Sequence, residues 1–236
     1  MSETANLGLP LVQPAQAQKH VTVNDAFQRL DAFAQISIGS AGATTPPPAP
    51  DEGDLHAIGA GASAEWASHD GELALFLNGG WLFIQPSPGW RGWRLDAGSA
   101  VSYDGAEWVE GGGAFTPNGA GFVHRSIEVD HDVTAGSTST ENGFIPSNAM
   151  VYGVTGRVLT NVGGATSLEI GVAGSSDRYG SGIGVNSGAW ARGLTSNPLA
   201  YYSPTDLVLT AIGGSFDGSG TIRMAVHFAE LNLPRA

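Results

Sequence analysis

Apolar and polar residues alternate through much of the chain beyond residue 121. Ile127, Val129, His131 and Val133 fall on one side of an extended segment, and Glu128, Asp130 and Asp132 fall on the other. The same period predicts strands at Met150–Val154, Arg157–Asn161, Ser167–Val172, Leu207–Ala211 and Thr221–Phe228. Gly163-Gly164, Gly213-Gly214 and Asp217-Gly218 are the turns between them. About seven or eight short strands in a stretch of this size predict a two-sheet antiparallel sandwich of jelly-roll type over residues 122–236.

The first half is patterned differently. Leu55–Ile58, Leu73–Leu77, Trp81–Ile84, Trp93–Leu95 and Val101–Tyr103 read as short strands. Asn78-Gly79 between two apolar runs is a strong hairpin signal, and Asp104-Gly105 marks another turn. These make residues 54–110 a small antiparallel module, joined to the sandwich by a Gly-rich connector at 111–121. Upstream, Pro46-Pro47-Pro48 within residues 39–53 predicts a semi-rigid linker and a domain boundary. Residues 6–18 read as extended, because Pro10 and Pro14 disfavour helix. A helix of about 14 residues follows, capped by Thr22 or Asn24. Val23, Phe27, Leu30 and Phe33 form its apolar stripe. So short a helix is marginal alone, which makes residues 1–38 an attachment or oligomerisation segment. The expected fold class is mainly β: a short N-terminal helix, a small Trp-rich antiparallel β-module and a C-terminal jelly-roll-like β-sandwich.

Composition narrows the function. The 236 residues include 35 Gly and 13 Pro, a density that leaves room for few helices. Lys19 is the single lysine and the net charge is −12. A nucleic-acid partner needs a dense basic patch, and insertion into a membrane needs an apolar span of roughly 18 residues; the sequence offers neither. There is no cysteine, so thiolate chemistry and disulfides are excluded. The opening residues lack the basic-then-apolar pattern of a secretory signal. Release by cell lysis is therefore the expected route out of the cytoplasm.

No Gly-x-Ser-x-Gly elbow or phosphate loop occurs. The stripe Glu128, Asp130, Asp132 carries oxygen ligands of the kind calcium takes, but it lacks a loop pattern and reads as a solvated strand face. No metal and no cofactor is expected. Four of the six tryptophans, Trp81, Trp90, Trp93 and Trp108, crowd into the middle module. Their interleaving with apolar residues reads as core packing. In the second half Asp177, Arg178, Tyr179, Trp190, Arg192, Tyr201 and Tyr202 occupy segments rich in Gly, Ser and Asn, read here as loops. Aromatic rings stack on sugars while Asp and Arg fix hydroxyls, so these seven residues are the candidate glycan site.

Two stretches carry a resemblance. Glu3-Thr4-Ala5-Asn6-Leu7-Gly8-Leu9-Pro10, then Gln13 to Asn24 and Leu30-Asp31, resemble the N-terminal signature of a prophage-associated family catalogued as a domain of unknown function. Gly80-Trp81-Leu82-Phe83-Ile84-Gln85-Pro86 and Gly89-Trp90-Arg91-Gly92-Trp93 resemble its second signature. The match covers about residues 3–110. One departure is Asp25, where the family has a longer acidic residue. The C-terminal part, best at Asp177-Arg178-Tyr179-Gly180-Ser181-Gly182, is similar to β-sandwich heads appended to such fibres. The resemblance implies a non-enzymatic tail fibre of a prophage or gene transfer agent, with a capsid head spike as the alternative placement and a capsule-degrading depolymerase as the rival function. It implies other particle proteins and host surface polysaccharide as partners, a homotrimer as the assembly, and a place in a virion-like particle.

Overall fold

A computed structural model of the chain describes residues 3–13 and 19–236. The chain divides into two units, Met1–Gly119 with Pro234–Ala236, and Ala120–Leu233. The expected extension through residues 14–18, and the part of the N-terminal signature there, lie outside the described residues.

The first unit opens with α1 (Lys19–Ala34) and continues through β1 (Ile36–Ile38), β2 (Ala41–Ala43), β3 (Leu55–Ile58), a 3-10 turn (Ala64–Trp66), β4 (Leu73–Leu77), β5 (Gly80–Ile84), β6 (Arg91–Arg94), β7 (Ser99–Tyr103), β8 (Trp108–Glu110) and β9 (Gly112–Phe115). Two small sheets form, β1-β6-β7-β8 and β2-β3-β4-β5. The Asn78-Gly79 hairpin is present: Leu77 pairs with Gly80, and both turn residues have positive φ, 53° and 78°. That mirror-image turn matches the twist of paired strands.

Within residues 54–110 the ladders β3–β4, β4–β5, β6–β7 and β7–β8 are antiparallel, as expected; β1 and β2, which precede that stretch, join β6 and β3 in parallel. Two other expectations for this unit need correction. Residues 39–53 are not a linker throughout. Gly39, Ala57, Gly59 and Ser63 donate backbone hydrogen bonds to Leu55, Ser40, Ala43 and Thr44 respectively. Proline removes donors only from Pro46 onward, so the residues before it are free to complete a sheet edge. The helix, this segment and the Trp-rich strands therefore fall in one unit. Its core is Ile36, Ile38, Leu55, Leu73, Leu75 and Val101, with Phe33, Trp90 and Trp108 packed against it. A second cluster surrounds Trp66, which is fully buried and meets Trp81 edge-on at 5.2 Å. Trp93, expected in the core, is exposed.

The second unit holds eight strands among the described residues: β10 (Gly121–Asp132), β11 (Thr138–Ile145), β12 (Ala149–Thr160), β13 (Ser167–Val172), β14 (Ser175–Ile183), β15 (Trp190–Tyr201), β16 (Thr205–Ile212) and β17 (Thr221–Asn232). One sheet orders its strands β15-β12-β17-β10, the other β11-β16-β13-β14. The ladders recorded within these sheets are antiparallel. If the strands are lettered B to I in chain order, the sheets read G-D-I-B and C-H-E-F. That is the double Greek key of a jelly roll. Leu168, Ile170, Leu207, Leu209, Met224, Val226 and Phe228 face one another between the sheets. Each fully buried aliphatic side chain of this kind contributes about 1.5–3 kcal/mol, so the sandwich is held chiefly by its apolar centre.

Met150–Val154 and Arg157–Asn161 are one strand, not two. β12 runs through the interval, with a bulge at Tyr152 that absorbs the irregular pattern. Segments read as loops, 175–183 and 190–201, are strands as well. Gly193 explains part of that misreading. A Cβ there would collide with the carbonyl oxygen of Tyr179, so glycine marks a close approach of β15 to β14.

Candidate functional site

The outer face of the sheet β15-β12-β17-β10 carries the chain's most exposed tryptophan. Register fixes the arrangement. Trp190 pairs with Arg157, Arg157 with Arg223, and Arg223 with Asp130, giving one row across four strands. The next row is Arg192, Thr155, Ala225 and Glu128. Alternation points all eight side chains to the same side. Thr155 and Ala225 are short, so the middle of the second row is low and its ends are high. The result is an open trough of about 580 Å³ lined by Trp190, Arg192, Arg157, Arg223 and Glu128.

The trough's electrostatics are asymmetric. Arg223 is committed: its Nε and Nη2 donate to the two carboxylate oxygens of Asp130 at 2.6 and 2.7 Å, and Glu128 lies 3.5 Å away. Those hydrogen bonds hold the Asp130 carboxyl below its usual value and raise the Arg223 guanidinium. Asp132 in turn accepts from the Thr221 hydroxyl. The acidic stripe of β10 is exposed, as expected, and its three carboxylates all face partners on β17. Arg192 instead lies over the Trp190 ring, 5.8 Å from its centroid. Such a contact orients a guanidinium without neutralising it. Among the described residues neither Arg157 nor Arg192 has a carboxylate within ion-pair distance. Trp190 is 61% exposed.

Of the seven residues expected to bind glycan, the structure brings only Trp190 and Arg192 together here. Asp177 and Arg178 are exposed on β14, in the other sheet. Tyr179 is a correction: it is 1% exposed, part of the sandwich core, and cannot contact a ligand. Burial and then its hydrogen bond to Tyr201, 2.7 Å between hydroxyls, push its ionisation upward. Tyr201 is half-buried, and Tyr202 projects beyond the end of β15. The strand locations of the other six follow from backbone pairing that overrides their small, polar neighbours. Arg157 and Arg223 were missed by sequence reasoning. Their only signal was a position in alternating strands, and the partner strand was needed to place them beside Trp190.

A second polar constellation was also invisible in the sequence. His131 places Nε2 2.7 Å from the Ser139 hydroxyl and Nδ1 2.7 Å from Glu141. This is the order nucleophile, base, carboxylate. However, Ser139 is 1% exposed, accepts from the Thr134 amide at 2.9 Å and lies 3.0 Å from the Thr134 hydroxyl. A hydroxyl enclosed in this way has no open side for a substrate carbonyl.

The helix stripe is split. Phe33 packs on Trp90 of its own unit, with centroids 5.5 Å apart. Phe27 is half-buried, while Val23 and Leu30 are exposed, Leu30 by 55%. The buried side of α1 holds Asp31 and Ala32 instead. Asp31 takes hydrogen bonds from the Thr4 hydroxyl (2.6 Å), the Asn6 amide and side chain (2.9 and 3.0 Å) and the Leu7 amide (2.6 Å). Asn24 is not the cap; it binds both backbone groups of Val12. Thr4, Asn6 and Asp31 of the N-terminal signature are thus a polar tie. No helix among the described residues is long and apolar enough to cross a membrane.

Residues 23–109 match the profile of a family described as a protein of unknown function (DUF2793). A chain of the cyanophage Pam1 capsid asymmetric unit is 27% identical over an alignment covering 50% of this chain and 86% of that one, with a TM-score of 0.29. A superposition of that quality transfers neither architecture nor role. No curated protein matches.

Proposed function

We propose that this chain is a non-enzymatic, adhesive component of a phage-like particle, a tail fibre whose jelly roll holds polysaccharide of a host cell surface. The observation that carries the adhesive part is Trp190, a large ring left open on a sheet face beside two guanidiniums without carboxylate partners. An exposed indole on a strand offers a flat apolar face, and sugar faces are apolar enough to stack on it. The particle part is supported by the N-terminal and Trp-rich sequence signatures. In the first, Thr4, Asn6 and Asp31 form one hydrogen-bonded knot.

Oligomerisation fits the helix. Val23, Phe27 and Leu30 are spaced by four and three residues, the interval of a helical seam, and two of them are exposed. We assign them to a homotrimer, in which three weak saccharide sites act together. Assembly in the cytoplasm and release by lysis complete the reading.

A hydrolase is the rival, favoured by the His131, Ser139 and Glu141 geometry. Reaction with a fluorophosphonate probe separates the two: the adhesin leaves Ser139 unlabelled, and labelling that is lost in Ser139→Ala makes the chain an enzyme. For adhesion, the full chain is applied to an array of purified bacterial surface polysaccharides. Binding that disappears in Trp190→Ala supports the reading, and an array with no binding ends it. Gold-labelled antibody on particles released from the encoding strain checks the placement, with label at the tail expected and label confined to the capsid favouring a head spike.

A further inference from the structure

Trp190, Arg157 and Arg192 together select a chemical class within the proposed saccharide site. The geometry points to an acidic saccharide, one bearing carboxylates such as a polymer of uronic acids, as the occupant of the trough. This rests on the saccharide reading and goes further than it.

The argument is one of charge accounting across two rows of a sheet. The trough carries three guanidiniums and, within its lining, one carboxylate, Glu128. Arg223 is taken by Asp130 and by Glu128. Arg157 and Arg192 remain as full cations on a protein whose net charge is −12. Neutral sugars would be served by side-chain amides, hydroxyls and carboxylates, which accept as well as donate. A guanidinium only donates, and its fork fits a carboxylate with two parallel hydrogen bonds.

Spacing agrees with this. Arg157 is the cross-strand partner of Trp190, so their Cβ atoms are about 5 Å apart. Arg192 lies two residues along the same strand, about 6.6 Å away. A pyranose ring stacked on the indole therefore has a guanidinium within reach on two sides. Arg192 is already held against the indole by its cation–π contact, so less side-chain freedom is lost when a carboxylate arrives. The chain's overall negative charge does not forbid an acidic polymer, because salt screens charges beyond about 8 Å under physiological conditions.

The test uses the full chain and matched pairs of oligosaccharides: oligogalacturonate, oligomannuronate and oligoglucuronate, each beside its carboxyl-reduced, neutral counterpart. Calorimetric titration is expected to show at least one acidic oligomer binding ten-fold or more tightly than its reduced form. Arg157→Gln and Arg192→Gln should each remove most of that preference, and Arg192→Lys should restore only part of it, since an ammonium lacks the fork. Arg91→Gln, on an exposed strand of the other unit, should leave binding unchanged. Thermal melting of each variant confirms folding.

Equal binding of acidic and reduced forms, or glutamine variants that keep the preference, overturns the acidic assignment while leaving the saccharide reading intact. No binding of any pair also overturns it, and the polysaccharide array then decides the broader reading by itself. A poly-dT oligonucleotide that competes as tightly as the uronates would reassign the trough to nucleic acid.

Discussion

The two units of this chain are stabilised by different means. The jelly roll has long strands, a continuous apolar centre and carboxylates that sit on its surface. The first unit has strands of three to five residues, two separate apolar clusters and buried polar ties. In it Asp31 gathers four hydrogen bonds from Thr4, Asn6 and Leu7. Asp104, also buried, accepts from the amides of Ala106 and Glu107 and from Arg235. Short strands bury too little apolar surface each, so directional bonds between distant segments supply what burial does not. The contrast teaches that a sheet with a regular period-two pattern depends on apolar volume, whereas a patchwork of short strands depends on particular polar atoms.

The largest effect is expected in the sandwich centre. Leu209 is fully buried between the sheets. Leu209→Ala should cost about 2–5 kcal/mol, the transfer term plus a cavity. Hydrogen exchange should then accelerate in β13, β16 and β11 alike, since all three share one ladder. Acceleration confined to β16 would mean that the centre is less continuous than its packing suggests.

In the first unit the corresponding change is polar. Asp31→Asn replaces one of two accepting oxygens with a donor that faces other donors, at a cost of about 1.5–3 kcal/mol. The segment 3–13 should lose protection while β3 and β4 keep theirs. Acid should mimic the substitution. Burial, the largest single influence, pushes the Asp31 carboxyl up, but hydrogen bonds from Thr4, Asn6 and Leu7 together outweigh it and leave it below 3.8. A depressed carboxylate contributes stability that is present above its unfolded value and lost as pH falls through its folded one. Protection of residues 3–13 should thus hold from neutral pH to about pH 4 and fall below that. In Asp31→Asn the segment should be unprotected throughout. A wild-type segment that detaches between pH 7 and 5 would show that another group controls it.

Ser139→Ala tests the buried His131–Ser139 cluster of the sandwich. It leaves the Thr134 amide and Nε2 of His131 each without the Ser139 hydroxyl, while Nδ1 keeps Glu141, a loss of about 1–3 kcal/mol. A melting temperature that does not move would mean that water replaces the hydroxyl, and the cluster would be more open than its geometry indicates.

Legibility in the sequence followed the same division. Ser167–Val172 was read with the bounds it has, and the two faces of β10 were assigned correctly from Ile127 to Val133. Period-two alternation survives wherever one side of a strand is buried. β14 and β15 were lost because Gly193 serves a close approach, Gly180 and Gly182 take positive φ, and exposed serines lie among them, so composition imitates a loop. Trp66 was overlooked as a lone apolar residue in a 3-10 turn. The Asp31 tie joins residues 24 to 27 positions apart, and nothing local announces such a pairing. The trough was half-legible. Trp190 and Arg192 stood out by type, but Arg157 joined them only through strand pairing, and Tyr179 was drawn away by the core.

The smallest effect concerns the feature that the sequence announced most plainly. Asn78-Gly79 forms a two-residue hairpin with φ of 53° and 78°. Glycine accepts this conformation freely and asparagine tolerates it, whereas alanine meets its own backbone. Gly79→Ala should cost about 1 kcal/mol. The loss should stay local, because Phe76 and Trp81 still meet edge-on at 5.0 Å and hold β4 to β5 beyond the turn. Exchange at Leu77 and Gly80 should rise while Leu73 and Leu75 remain protected. If the whole β4–β5 ladder opens instead, the turn and not the aromatic cluster sets its register. Local signals would then account for more of the first unit than its buried polar ties do.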